Sequence, residues 1–132
     1  MSQVNGDELF DFEKLQVYQL ALEFLDGVFD VCRALPREMR FPLADQLIRA
    51  ALSISNNIAE GTGKRSKKEK ARYYSISSDS ARECISMLNV LRRQRLLQEP
   101  NYQSLRGAGR RITGMLYGLS QSIDRTPLTV HR

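Results

Sequence analysis

The most regular pattern of apolar and polar positions lies between Phe41 and Gly63. Read at the helical period, one side of this stretch is apolar, and a polar stripe runs along the other side: Gln46, Arg49, Ser53, Asn57 and Glu60. Pro42 suits the first turn of a helix, and Gly61 and Gly63 are typical of its end. The pattern predicts a helix that packs on several neighbours while its polar stripe faces one particular environment.

A first helix is predicted from Phe12 to Leu35, where Pro36 ends it. Its apolar residues form two adjacent seams: Leu15, Tyr18, Leu22, Leu25, Phe29 and Cys32 in one, and Val17, Ala21, Phe24, Val28, Val31 and Leu35 in the other. Together the seams cover roughly 200° of the helix, twice the width of an ordinary surface helix. One core covers one side only, so we expect a neighbouring subunit on the other.

The third helix is predicted to begin after Ser66, which has the capping-box spacing to Glu69, and to run to about Leu97. Its predicted inner face carries apolar residues and two serines: Tyr73, Ile76, Ser77, Ser80, Cys84, Met87, Leu88 and Leu91. Ser80 and Glu83 are expected to join the polar stripe of the second helix in a structural network, with Glu83 as the counter-ion of Arg49.

A fourth helix is predicted from about Asn101 to Ile123. Gly107, Gly114 and Gly118 fall on one of its faces, which indicates either tight approach by another helix or chain, or simply a weak helix. Four helices with short connections predict an all-α, antiparallel up-down-up-down four-helix bundle over residues 12–123. Residues 1–11 are expected to be a flexible segment, and residues 124–132 a frayed tail.

The composition is that of a soluble protein without an obvious catalytic centre. The chain has 132 residues, 42% hydrophobic and 27% charged, with two cysteines and one histidine, at position 131. Cys32 and Cys84 are expected to be reduced core residues, and no secretory signal or membrane span is visible, which favours the cytoplasm. No histidine is placed to activate a serine, and nucleotide-binding glycine motifs are missing, so neither an enzyme nor a metal or cofactor is predicted.

The net charge of +5 is unevenly distributed. Residues 1–63 carry five Lys/Arg against ten Asp/Glu, whereas residues 64–111 carry thirteen against four. Charge asymmetry of this kind indicates an anionic partner for one part of the molecule, or association between unlike parts. The alternative is that the charges only solvate helix surfaces.

The basic residues form two clusters, which are named here by their order in the chain. The first basic cluster is Lys64, Arg65, Lys67, Lys68, Lys70 and Arg72; the second basic cluster is Arg92, Arg93, Arg95, Arg106, Arg110 and Arg111. Lysines in the first turn of a helix oppose its macrodipole, so stability alone does not favour them there, whereas a phosphate ligand would. Tyr73 and Tyr74 are candidates for stacking on bases, although Tyr73 is expected to face inward. In the predicted bundle the two clusters lie at opposite ends.

The run QLIRAALSISNNIAEGTGKRSKKE resembles the family usually called the four-helix bundle protein, known from intervening sequences in bacterial large-subunit ribosomal RNA genes. The matching positions are Gln46, Arg49, Ala50, Ser53, Ile54, Asn57, Ile58, Ala59, Glu60 and Gly61, followed by Ser66 with Glu69 and Ser80 with Glu83. The segment FEKLQVYQLA also fits, with Tyr18 where an aromatic residue is usual. The resemblance covers about residues 12–97.

The resemblance implies a cytosolic bundle that assembles into a ring of five, and kinship with accessory proteins of diversity-generating retroelements, whose basic pentamers bind nucleic acid and a reverse transcriptase. Two hypotheses follow. The protein is a basic oligomeric module that binds nucleic acid, RNA in the first place, as an accessory to an RNA-processing or retroelement enzyme. Alternatively, it is a protein–protein adaptor whose charged halves serve assembly without nucleic acid.

Overall fold

A computed structural model describes residues 8–125 of the chain. Four long helices account for most of this part, and no strand occurs within it: α1 (Gln16–Ala34), α2 (Asp45–Thr62), α3 (Lys67–Arg93) and α4 (Glu99–Arg125). Of the predicted terminal segments, residues 1–7 and 126–132 lie outside the described residues. The chain is already helical from Asp11, and α4 continues two residues beyond the predicted end at Ile123.

The helix ends follow local chemistry. α1 begins after a 3-10 turn, Asp11–Lys14, and ends because Leu35 is extended before Pro36 (φ −69°, ψ 146°). The Arg40 guanidinium then covers the end of α1, donating to the carbonyls of Leu35 and Arg33 at 3.0 Å each. Pro42 lies in a π-helical turn, Arg40–Ala44, so α2 begins three residues later than predicted.

The capping of α3 by Ser66 is confirmed: its hydroxyl accepts a hydrogen bond from the Glu69 amide at 3.0 Å. At the other end of α3, the Leu96 amide donates to the Leu91 carbonyl at 2.9 Å and the Arg95 amide to the Arg92 carbonyl at 3.0 Å. This is a Schellman cap, in which Arg95 has the left-handed φ of 61°. Glycine usually occupies that position because other residues are strained there.

The four helices share one core, with α1 and α3 each in contact with α2 and α4. Phe24, Ile54, Leu88 and Ile112 lie at its centre, each at most 1% exposed. Of the two seams of α1, only the one that contains Val17, Phe24 and Val31 is buried in the core. Cys32, which was predicted in the other seam, is buried with it. The seam that contains Leu15, Tyr18, Leu22, Leu25 and Phe29 is half-buried, and Phe29 within it is 36% exposed.

The predicted inner face of α3 needs a correction. Tyr74 is the core tyrosine, 3% exposed, and its hydroxyl is 2.8 Å from the Thr62 hydroxyl, whereas Tyr73 is half-buried at the edge. The buried positions of α3 are Tyr74, Ser77, Ser80, Ala81, Cys84, Leu88 and Leu91. The reason is the closeness of α2: a β-carbon at Gly61 would lie 2.8 Å from Cβ of Tyr73 and 3.1 Å from the Tyr74 ring.

Gly107, Gly114 and Gly118 are not places of tight approach within this chain, since a β-carbon on any of them would meet nothing within 4 Å. Close approach to α4 occurs instead at Gly109, beside Ile85. Both cysteines are free and buried, as expected. Burial raises the pKa of the Cys32 thiol; burial, and secondarily the charge of Glu83, raise that of Cys84 to about 12.

Candidate nucleic-acid interface

Three residues of the predicted polar network are hydrogen-bonded in a chain, and its Ser53–Ser80 contact joins α2 to α3 directly. The Ser53 and Ser80 hydroxyl oxygens are 2.7 Å apart, and the Asn57 amide donates to the Ser53 hydroxyl at 3.0 Å and to its carbonyl at 2.8 Å. Ser77 adds a fully buried hydrogen bond to the Ile54 carbonyl at 2.8 Å. These bonds satisfy the polar groups that the close contact between the two helices takes out of water.

The expected ion pair between Arg49 and Glu83 does not form. Nε of Arg49 is 3.3 Å from Oδ2 of Asp45, one turn earlier on α2, and both side chains are exposed (79% and 67%). Glu83 is also exposed, and it lies at the edge of the buried face of α3, about 60° around the helix from Ser80. Gln46 is also exposed, and Glu60 pairs with Lys64 at 3.5 Å. An exposed pair such as Arg49–Asp45 contributes at most about 1 kcal/mol.

The first basic cluster surrounds the junction between α2 and α3, and several of its side chains have contacts within the fold. Nζ of Lys70 donates to the Thr62 carbonyl at the end of α2, 2.8 Å away. Nζ of Lys64 lies 5.2 Å from the centroid of the Tyr73 ring, and the Arg72 guanidinium lies 5.7 Å from it. Both distances are within the range of cation–π attraction.

The outer part of the first basic cluster is open to solvent. Arg65, Lys68 and Arg72 are exposed, Lys67 is half-buried, and the single acidic residue within 64–72 is Glu69. Of the two tyrosines considered for stacking, Tyr74 is in the core and Tyr73 is flanked by cations. This end of the bundle therefore offers a dense positive surface rather than an open aromatic platform.

The second basic cluster is built around Tyr102, which is 3% exposed. The Arg92 guanidinium lies 4.3 Å from the centroid of the Tyr102 ring and donates two hydrogen bonds of 2.9 Å to the Glu99 carboxylate. Gln103 holds the same carboxylate through a 2.7 Å hydrogen bond. The Gln103 hydrogen bond, and then the Arg92 guanidinium, lower the pKa of Glu99, so this pair is ionised at neutral pH.

The Tyr102 hydroxyl is the centre of a second set of contacts. It accepts a hydrogen bond from Nη1 of Arg106 at 3.0 Å and donates its own proton to Oδ1 of Asn89. Asn89, Arg92, Arg93 and Tyr102 line an open cleft of about 430 Å³. Arg93, Arg95 and Arg110 are exposed, and Arg111 is exposed on the side of α4 that faces α1.

Sequence reasoning did not identify Asn89, Glu99, Gln103 or Tyr102 as parts of this cluster. Arg92 and Glu99 are seven residues apart and lie on different helices, on either side of the turn that contains Arg95. Periodicity within one helix gives no signal for such a pair. The local cues were two i, i+4 spacings, that of Tyr102 with Arg106 and that of Glu99 with Gln103.

The two basic clusters lie far apart in the structure, and the acidic helices lie on a different side of the bundle from the basic helices. The first basic cluster lies at the start of α3 and the core of the second lies at its end, about 38 Å further along the helix axis. The acidic helices α1 and α2 contact each other, as do the basic helices α3 and α4. One side of the bundle is therefore acidic and the other is basic.

Within the part of the chain that the structure describes, no three metal-ligating side chains come together, and no helix is long and apolar enough to cross a membrane. A groove of about 780 Å³ runs between α1 and α4, with Glu23, Asp30 and Arg111 among its lining residues. The cationic cleft beside Tyr102 is the site with the more distinctive chemistry.

These features define an all-α protein of four packed helices with two basic clusters. Residues 13–118 match the family model described as the 23S rRNA-intervening sequence protein, and the chain belongs to that family. The match confirms the resemblance carried by the run from Gln46 to Glu69.

The fold is shared with a solved structure. A crystal structure of a protein of unknown function from the S23 ribosomal protein family of Bacteroides thetaiotaomicron is similar with a TM-score of 0.74. It is 24% identical in sequence, and the match covers 80% of this chain and 95% of that one. At this level of identity the likeness shows a shared fold alone. No curated protein is significantly similar in sequence.

Proposed function

We propose that this protein is a non-enzymatic, basic, oligomeric module that binds nucleic acid, RNA in the first place, through phosphate contacts. The supporting observation is the placement of cations where folding does not favour them. Arg95 has a left-handed conformation that costs about 1–2 kcal/mol for a residue with a β-carbon, and Lys67 and Lys68 lie at the positive end of the α3 dipole. An anion bound at these positions would offset both unfavourable contributions to the free energy of folding.

The proposed architecture is an antiparallel up-down-up-down bundle. Contacts between consecutive helices run in opposite order along the chain: Thr62 meets Tyr74 while Ser53 meets Ser80, and Arg92 meets Glu99 while Asn89 meets Tyr102. The close contact of Gly27, in the second half of α1, with Leu105, near the start of α4, fits the same arrangement. In such a bundle both basic clusters belong to the α3–α4 side.

Assembly into a ring, most simply a pentamer as the family resemblance implies, would cover the half-buried seam of α1. Phe29 at 36% and Leu52 at 38% exposure are large apolar side chains left partly open on α1 and α2. Light scattering at micromolar concentration is expected to give a multiple of the 15.1 kDa chain mass. The monomer mass under these conditions would contradict the assembly.

Charge reversal tests the binding itself. The exposed residues Arg65 and Lys68 are changed together to glutamate, and binding of labelled RNA is measured between about 50 and 200 mM salt. If both side chains contact phosphates, the slope of log K against log salt becomes shallower by about 1.4–1.8, because each neutralised phosphate contributes about 0.7 on a single strand and about 0.9 on a DNA duplex. Affinity at the low-salt end falls at the same time.

The matched control is Arg33→Glu with Arg37→Glu, which changes the net charge equally on exposed residues of the acidic half. The control is expected to keep the wild-type slope. Equal weakening by both double variants would mean that net charge alone attracts RNA. Absence of wild-type binding at about 50 mM salt, with a normal 260/280 nm absorbance ratio after purification, would support the protein–protein adaptor instead.

A further inference from the structure

We propose that the cleft beside Tyr102 takes up a base of single-stranded nucleic acid, which stacks on the Arg92 guanidinium while Arg93 and Arg106 hold the neighbouring phosphate. This inference rests on the proposed function and names the form of nucleic acid that the second basic cluster recognises. Planar guanidinium groups offer π-faces on which bases stack.

The Arg92 guanidinium is held in one plane before any ligand arrives. Tyr102 covers one face at 4.3 Å, and Glu99 fixes the orientation through two hydrogen bonds of 2.9 Å. Gln103 in turn holds Glu99. The Arg92 side chain nevertheless remains 44% exposed and lines the cleft. A preorganised surface of this kind loses little conformational entropy when a flat ligand stacks on it.

The Arg92–Glu99 pair has no net charge, which favours an uncharged base over a phosphate as the ligand of the Arg92 guanidinium. Glu99 neutralises Arg92 directly, so the platform is a poor anchor for an anion but a good one for a flat, uncharged ring. Arg93 and Arg106 have no acidic partner within the described residues. These two guanidiniums are therefore the groups suited to the phosphates that flank a stacked base.

Asn89 adds a hydrogen-bonding edge. Since the Tyr102 hydroxyl accepts from Arg106, its own proton goes to Oδ1 of Asn89, which fixes the orientation of that amide. The two N–H groups of Asn89 then lie on the side of the amide opposite the Tyr102 hydroxyl, and Asn89 lines the cleft. The cleft volume of about 430 Å³ is within the range of small-ligand sites, roughly 300–1,000 Å³.

The test compares three labelled probes of equal length: a 12-nucleotide oligoadenylate, an abasic ribose-phosphate oligomer and a 12-base-pair RNA duplex. The variant is Arg92→Lys, which keeps the charge and removes the planar, bidentate group. Loss of one stacked base is expected to weaken oligoadenylate binding about 5- to 100-fold. Binding of the abasic oligomer and of the duplex is expected to stay unchanged.

Arg82→Lys, the same substitution at an exposed position of α3 outside both basic clusters, is the control and is expected to change none of the three affinities. Glu99→Gln separates stacking from charge, because it releases Arg92 while removing a negative charge: we expect weaker oligoadenylate binding, whereas a purely electrostatic site would bind more tightly. Thermal melting checks that each variant is folded.

The outcomes separate this inference from the proposed function. If wild-type protein binds none of the three probes, the proposed function fails and the cleft has no role in it. If wild-type protein binds the abasic oligomer as tightly as oligoadenylate, or if Arg92→Lys leaves oligoadenylate binding unchanged, nucleic-acid binding stands and the stacking site is overturned.

Discussion

The Phe24→Ala variant is expected to lose about 3–5 kcal/mol of its free energy of unfolding. Phe24 is 1% exposed on the inner face of α1 and lies near Gly109 of α4. The bundle cannot close over the missing ring, because α4 already approaches the core as closely as its glycine allows. Urea unfolding is expected to show a lower midpoint with an unchanged slope, since the change in exposed surface is small.

Phe29→Ala is the matched control on the same helix. Phe29 belongs to the half-buried seam and is 36% exposed, so its truncation is expected to cost under about 1.5 kcal/mol in the isolated chain. In an assembly that covers this seam, the variant would lower the molar mass measured by light scattering. Equal losses of stability for Phe24→Ala and Phe29→Ala would contradict the assignment of the core.

The Gly61→Val variant is expected to lose about 2–3 kcal/mol by overpacking the contact between α2 and α3. A β-carbon at this position would lie 2.8 Å from Cβ of Tyr73, which is close to the backbone and cannot swing away. The side chain also meets the Tyr74 ring at 3.1 Å, beside the hydrogen bond between Tyr74 and Thr62. Thermal or urea unfolding measures the effect.

The Gly114→Ala variant also replaces a helical glycine, but its expected effect on stability is opposite to that of Gly61→Val. Nothing lies within 4 Å of a β-carbon there, so the variant is expected to gain up to about 1 kcal/mol from helix propensity. A loss of stability that grows with protein concentration would instead show that another copy of the chain packs against this face. If the Gly61→Val variant were instead as stable as the wild-type protein, α2 and α3 would have to lie further apart than described.

The helices and most of the core were predictable because their signals are local. The capping serine, the proline after Leu35 and the apolar period of α2 each act within a few residues. The contact between the polar stripe of α2 and the serines of α3 was also predictable in part, since Ser53 and Ser80 stand opposite each other. Small polar residues in an apolar seam require a partner on the adjoining helix.

The predictions that were wrong depended on how each helix is rotated about its own axis and on which residues meet across a turn. Neighbouring residues differ by about 100° around a helix, so a small misjudgement of the contact line exchanged Tyr73 for Tyr74 and placed Glu83 toward Arg49. Which side of α3 faces α2 depends on Gly61, and only the packed structure shows how closely the two helices approach there. The Tyr102 site was unpredictable for a different reason: its parts meet only after the chain turns at Arg95.

The burial of both cysteines makes the protein convenient for spectroscopy. The Cys84 thiol, with a pKa raised to about 12 by its surroundings, and the similarly enclosed Cys32 stay protonated and shielded near neutral pH. A cysteine introduced at an exposed position such as Lys68 or Arg93 would be the one readily alkylated thiol. Fluorescent or spin labels can thus be attached at either basic cluster without first removing the native cysteines.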